Sequence, residues 1–314
     1  MIIKDTATLR EYISVNGSVD IDNVKPYLRK AERNFLKPLI GSDQLLVFES
    51  EQTDSIIKAA QELAQEAVAN FGYYLYLPIG AVQVTDNGIH VTANENTKTA
   101  SDKQFKELQR SFKKSGHEAL DELLEVMEKS ADKFSAWFSS DCYTVYKELL
   151  VNKTSILNKY YHIFNSRQTF VAMKPTLKVV EDQFINPVIG SSLLVALKIN
   201  QTDTVRKQVK DLLQQSIVAF TIMKTVDNGM FVLDAKGMHM RFDVLPYEKT
   251  VTNINLKVND FLVHTKKSKK VEGEEYLKLA IKLIVSNTEK FPEYQIQEAQ
   301  KHITLTNTKS LVGL

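Results

Sequence analysis

Apolar residues recur three and four positions apart through most of this chain, and in two short stretches the period falls to two. The first pattern predicts amphipathic helices and the second predicts strands. Leu28, Ala31, Phe35 and Leu36 mark one helical face, introduced by Pro26 and ended by Pro38 and Gly41. Proline suits the first turn of a helix, where its missing N–H costs nothing, and glycine suits the end. A second helix runs through Ile56, Ala60, Leu63, Ala67, Phe71 and Leu75, with Thr53 as its cap and Asp54 near its positive end. Its apolar stripe is wide enough to place it centrally in a bundle. Residues 81–91 alternate around Asp86-Asn87-Gly88, a tight-turn signal, and predict a β-hairpin. A third amphipathic region covers Ala100 to Lys129, with Gly116 as a point of interruption.

The whole pattern is then written again. Lys25, Pro26, Leu28, Glu32, Phe35, Pro38, Ile40, Gly41 and Ser42 reappear 149 positions later as Lys174, Pro175, Leu177, Glu181, Phe184, Pro187, Ile189, Gly190 and Ser191. The same spacing carries Thr53-Asp54 onto Thr202-Asp203, Phe71 onto Phe220, Gly88 onto Gly237 and His90 onto His239. Near the ends of the copies Lys133-Phe134 matches Lys290-Phe291, now 157 positions apart, so copy two carries eight extra residues. The basic stretch from Lys266 to Lys270 is the expected place for them, as a solvated loop splitting the last helical region. This makes the chain mainly α with small β-hairpins (an α+β chain), a tandem duplication of a helical-bundle-plus-hairpin domain. The first repeat is 1–142 with its hairpin at 81–92, the second is 143–303 with its hairpin at 230–242, and 304–314 form a C-terminal arm. The repeated Phe35, Phe71, Phe184 and Phe220 are expected in the cores.

Composition narrows the classes. The chain has 314 residues, 43% hydrophobic, which suits globular domains with sizeable cores. Forty Lys and Arg against 38 Asp and Glu leave a net charge of +2, so nucleic-acid contact, if any, must be local. One cysteine, Cys142, excludes an internal disulfide framework and a cysteine-based zinc site. The first residues turn charged at once, unlike a signal peptide, and no apolar run approaches a membrane span, so synthesis in the cytoplasm is expected.

The usual catalytic motifs are missing: there is no phosphate loop, dinucleotide glycine pattern, His-Glu-x-x-His or Gly-x-Ser-x-Gly. Ile40-Gly41-Ser42 reads as a helix end rather than a phosphate turn. His90 and His239 share a repeated position, but each stands alone on a hairpin. Glu118, Asp121, Glu122 and Glu125 read as a solvated helix face. No catalytic, cofactor or metal residues are assigned, and a non-enzyme is expected. Lys266, Lys267, Lys269 and Lys270 are the candidates for contact with DNA or an acidic partner. Candidate subunit contacts are the hairpin tips Asp86, Asn87, Gly88 and Ala235, Lys236, Gly237, together with Leu311, Val312 and Leu314 of the apolar C-terminal arm.

The Asp5, Leu9, Tyr12 opening, the Tyr27–Gly41 helix, the Tyr73–Pro78 helix end and the Val82–Ile89 hairpin together resemble uncharacterised proteins of phages and prophages of gut Bacteroides-type bacteria. The likeness covers nearly the whole chain. The two leading helices of each copy also resemble head–tail connector proteins of tailed phages. That resemblance implies a structural virion protein of the phage neck, assembled in the bacterial host cytoplasm. It implies a homo-oligomeric ring of about twelve copies, bound to the portal and to neck and tail proteins, around packaged DNA and away from any membrane. An intracellular prophage accessory or regulatory binding protein is the alternative. An enzyme with an unfamiliar site is the third reading, and it requires a pocket with convergent titratable groups.

Overall fold

The computed structural model describes residues 1–14, 20–80, 83–85, 88–90, 100–199, 201–226, 231–234, 237–240, 245 and 256–294. Copy one opens with α1 (Thr6–Tyr12) and α2 (Ile21–Ala31). A π-helical turn (Glu32–Leu36) then leads into α3 (Lys37–Ile40), α4 (Ser42–Phe48) and α5 (Ser55–Gly80). The strands β1 (Gln83–Thr85) and β2 (Gly88–His90) pair antiparallel, with Gln83 opposite His90. The long α6 (Asp102–Lys129) and the short α7 (Ser135–Ser139) and α8 (Thr144–Glu148) complete the copy.

Copy two runs in the same order. It contains α9 (Thr154–Tyr160), α10 (Arg167–Val180), a second π turn (Glu181–Ile185), α11 (Asn186–Ile189), α12 (Ser191–Lys198) and α13 (Thr204–Thr225). The hairpin of β3 (Phe231–Asp234) and β4 (Gly237–Met240) and the long α14 (Leu256–Val285) follow. The chain is thus a mainly helical tandem duplication with one two-stranded hairpin per copy among the described residues.

Packing divides the chain differently from repetition. One compact unit holds residues 1–148, 152–174 and 225–264, and the other holds 149–151, 175–224 and 265–314.

Local chemistry explains the shared features. The helix starts at Ile21 and Arg167, so Pro26 and Pro175 lie inside α2 and α10 and not in the first turn. Each proline therefore omits one backbone bond within the helix. The π turns precede the second proline of each copy. Lys37 and Asn186 donate to carbonyls five residues back, at Glu32 and Glu181, one position before Pro38 and Pro187. A proline ring would press on the carbonyl four residues back, and a widened turn moves that carbonyl away. Gly41 and Gly190 end these helices at φ of 82° and 80°, a conformation in which a side chain is strained.

The caps belong to aspartate. Asp54 accepts from the Ile56 and Ile57 N–H groups at 2.8 and 3.2 Å, and Asp203 accepts from Val205 and Arg206 at 2.8 and 3.0 Å. Thr53 and Thr202 were the expected caps; one residue closer to the helix, the carboxylates also gain the positive helix end. Each is gripped from behind by the same repeated lysine, Lys133 on Asp54 at 2.7 Å and Lys290 on Asp203 at 2.9 Å.

Glu32 and Glu181 are buried and do one job twice. Glu32 accepts from the Ile2 N–H at 2.7 Å, and Glu181 accepts from the Leu150 N–H. Each fastens the segment leading into its copy. Burial pushes the Glu32 carboxyl above the ordinary range, against the pull of the Ile2 N–H. Glu181 instead meets Lys198 at 2.7 Å.

Phe71 and Phe220 are each 1% exposed. Phe35 and Phe184 are only half-buried, and they stack on the buried rings at centroid distances of 4.0 and 4.5 Å. Opposite those rings stand glycines. A β-carbon on Gly116 would come within 2.9 Å of Phe71, and one on Gly273 within 2.7 Å of Phe220. Gly116 is therefore not an interruption: α6 runs unbroken through it so that a ring can approach the backbone.

That pair of glycines also bounds the insertion. Gly116 and Gly273 are 157 positions apart, so the longer spacing is already in place before Gly273. The extra residues accordingly fall between His239 and Gly273, a span that includes Lys266–Lys270. The stretch Lys266–Lys270 is not a loop but part of α14. Lysine and glutamate are good helix formers, and Lys269–Glu272 and Lys270–Glu274 pair along the surface at 2.6 and 3.9 Å.

Hairpin two is held from within the chain. The Met238 N–H donates to the His162 carbonyl at 3.1 Å, and the Met240 N–H to Thr169 Oγ1 at 3.3 Å. Gly237 is buried at φ of 150°, and a β-carbon there would lie 2.2 Å from the His162 oxygen. Gly237, a candidate subunit contact, is thus buried where the turn before α10 covers this ribbon edge. Gly237→Ala is expected to cost about 2 kcal/mol or more, read from chemical denaturation. An unchanged midpoint would mean that the turn yields freely.

Candidate functional site

The most elaborate polar site lies in the first unit, where α6 meets the start of α10. Asp121 stands on α6 and acts as a remote cap. Its two oxygens accept from the backbone N–H groups of Arg167 and Gln168 at 3.2 and 3.0 Å, and from Ser166 Oγ at 2.9 Å. Ser166 in turn accepts from the Thr169 N–H at 3.2 Å. Four residues further along α6, Glu125 meets Arg167 at 3.1 Å, and Glu128 lies 3.4 Å from the same guanidinium. Arg167 is 5% exposed, so this is a buried ion cluster. Glu128 also accepts from the Thr154 N–H at 3.1 Å. Glu125 is held below the ordinary carboxylate range by the bond from Lys129, with Arg167 adding to it.

The turn feeding this junction is strained. Phe164 and Asn165 have φ of 56° and 54°, unusual for residues with side chains. Asn158 Oδ1 stabilises it by accepting from the Ile163 and Asn165 N–H groups. Of the acids that read as one solvated face, Glu118 and Glu122 are exposed, while Asp121 and Glu125 turn inward.

Half-buried His117 sits one turn before Asp121. Its Nδ1 lies 2.8 Å from Gln168 Oε1, and the ring stands edge-on to Phe71 at 4.8 Å. Burial depresses its pKa to about 4, with the Gln168 bond pulling the other way. The unfolded imidazole titrates near 6.5. Between about pH 6.5 and 4 the unfolded chain therefore carries a proton that the folded chain refuses, and stability falls as pH falls through that window. His117→Gln is expected to make the slope of stability against pH shallower there. Identical slopes would show that another group carries it.

These groups bind one another and leave no arrangement of nucleophile, base and reacting site. Asp121 and Glu125 are spent on amides and cations, and His117 is neutral and packed. A surface cleft of about 690 Å³ opens at the end of α3, lined among others by Arg33, Lys37, Gly41, Ser42, Ser140 and Cys142. The Cys142 thiol donates to the Pro38 carbonyl at 3.4 Å. Among the described residues no group of three or more His, Cys, Asp or Glu is placed to hold a metal, and no helix is long and apolar enough to cross a membrane.

The candidate contact residues are dispersed. Lys266, Lys267, Lys269 and Lys270 lie on α14, where Lys269 and Lys270 face glutamates and Lys267 is exposed. Gly88 begins β2. Asp86, Asn87, Ala235, Lys236, Leu311, Val312 and Leu314, with the whole arm 304–314, lie outside the described residues.

Sequence reading missed a repeated surface feature. Leu46 on α4 is 61% exposed, and Val195, its counterpart 149 positions on, is 60% exposed on α12. A single exposed apolar residue is ordinary; the same position left open in both copies is a signal, and it was legible as an apolar pair at the repeat spacing. No curated protein and no solved structure matches the chain. A family model matches it twice, over residues 24–147 and again over 185–304, in keeping with the duplication, and the chain belongs to that family, a family of unknown function (DUF6712).

Proposed function

We propose that the chain is a non-enzymatic structural subunit of a phage neck, a head–tail connector that joins the portal to the tail around the DNA path. The observation that carries the reading is the doubled unit with the same apolar position exposed in each copy, Leu46 and Val195. A ring subunit must offer surfaces to its neighbours, and a duplicated chain offers related surfaces twice. The likeness of its leading helices to connector proteins supports the same reading. So does a polar network consumed in holding α10 to α6. A net charge of +2 suits a wall past which DNA slides, because each phosphate contact adds affinity and salt dependence.

The test is co-sedimentation of the full chain with the portal ring of the phage or prophage that encodes it. The expected result is a complex in which Leu46→Asp together with Val195→Asp reduces binding or ring closure. A chain that never associates with portal, neck or tail proteins contradicts the reading.

A further inference from the structure

The α6–α10 junction joins the last long helix of copy one to the start of the first long helix of copy two. In a duplicated chain the same two surfaces occur once more, without a partner in sequence: the last long helix of copy two, and the start of the first long helix of copy one. We infer that these two surfaces bind each other between molecules, so that chains associate head to tail through a second version of their own internal junction. The inference rests on the self-assembly part of the neck reading and adds the residues that carry it.

The register identifies the residues. With the spacing of 157, His117, Asp121, Glu125 and Glu128 of α6 correspond to Glu274, Lys278, Lys282 and Val285 of α14. These four recur at helical spacing on one face. Lys278, Lys282 and Val285 are exposed, and neither lysine has an ion-pair partner among the described residues. Leu279 beside them is 49% exposed and Val285 is 51% exposed, where copy one carries Glu122 and Glu128. An apolar pair flanked by unpaired cations is a costly face to leave in water unless something covers it.

The opposite surface is the start of α2. Thr169 and Phe170, which follow the α6-bonded Ser166, Arg167 and Gln168 at the start of α10, are each 0% exposed, with Thr169 Oγ1 accepting from the Met240 N–H. Their counterparts are Asp20, which is exposed, and Ile21, which is half-buried. Asp22 is exposed too, and its one cation among the described residues, Lys25, stands 3.8 Å away with both side chains in solvent. Charge then decides the partner. The internal junction sets acids on the long helix against Arg167 on the short one. The unpaired surfaces carry the reverse, Lys278 and Lys282 on the long helix and Asp20 and Asp22 on the short one. Each fits the other and repels a second copy of itself, so the contact is heterologous and propagates from chain to chain.

The experiment uses full chains and sedimentation velocity over a concentration series, with circular dichroism to confirm folding. One variant combines Asp20→Asn, which keeps a capping residue, with Asp22→Lys; the other combines Lys278→Glu with Lys282→Glu. Each alone is expected to weaken self-association by about tenfold or more, and an equimolar mixture of the two is expected to regain association through the exchanged charges. A wild-type chain that stays monomeric at all concentrations overturns the inference. So does an oligomer indifferent to both variants, which would place the contact elsewhere and leave the neck reading standing. If residues 295–314 of the same chain cover the α14 face, the Lys278/Lys282 variant loses thermal stability with unchanged sedimentation, and that also overturns it. Presence of the chain in purified particles decides the neck reading separately.

Discussion

Replacing Phe71 or Phe220 by alanine is expected to lower the unfolding free energy by about 3–5 kcal/mol in each case. Both rings are 1% exposed, and each is held between a stacked phenylalanine and a glycine backbone. Truncation removes the apolar contact and leaves a slot that glycine on the facing helix cannot fill. The complementary changes are Gly116→Ala and Gly273→Ala. Alanine is the better helix former by about 1 kcal/mol, so on propensity alone both would stabilise. The approach of 2.9 and 2.7 Å sets overpacking against that gain, and a net loss is expected. Chemical denaturation of the four variants checks the account. Neutral alanines at both glycines would show that the rings have room to move and that the contact is incidental.

Arg167→Ala is expected to cost about 3–5 kcal/mol, since it strips the cation from a buried cluster. Glu128, with its side chain 10% exposed, and Glu125 would be left facing each other without it. The Asn165 carbonyl, which accepts from the guanidinium at 2.6 Å in the strained turn, would lose its donor as well. Arg167→Lys keeps the charge but not the fork that reaches both acids, and is expected to recover only part of the loss. Double-mutant cycles of Arg167 with Glu125 and Glu128 measure the coupling. A coupling near zero for both would make the cluster a surface ornament rather than the clamp of the α6–α10 junction.

The duplication was legible because glycine, proline and phenylalanine hold positions that backbone geometry and close packing restrict. The hairpins were legible from alternation around a turn. The continuity of α14 was hidden, because a run of lysines and glutamates describes a solvated loop and a solvated helix equally well. Pro26 and Pro175 misled for a related reason: proline marks helix starts on average, and tertiary packing here tolerates one missing bond. The polar junction was the least visible part. Asp121 and Ser166 are 45 residues apart, and nothing local says that one caps the other. Leu46 and Val195 were both visible, but exposure is a property of the fold and not of the residue type.

The proposed neck role is tested most directly by cryo-microscopy of the particles released by cells that carry the gene for this chain. The account predicts a closed ring between portal and tail into which the two helical units fit repeatedly, and whose loss by gene deletion leaves heads that do not join tails. Particles that are complete and infectious without the chain, with no such density in the neck, would contradict it.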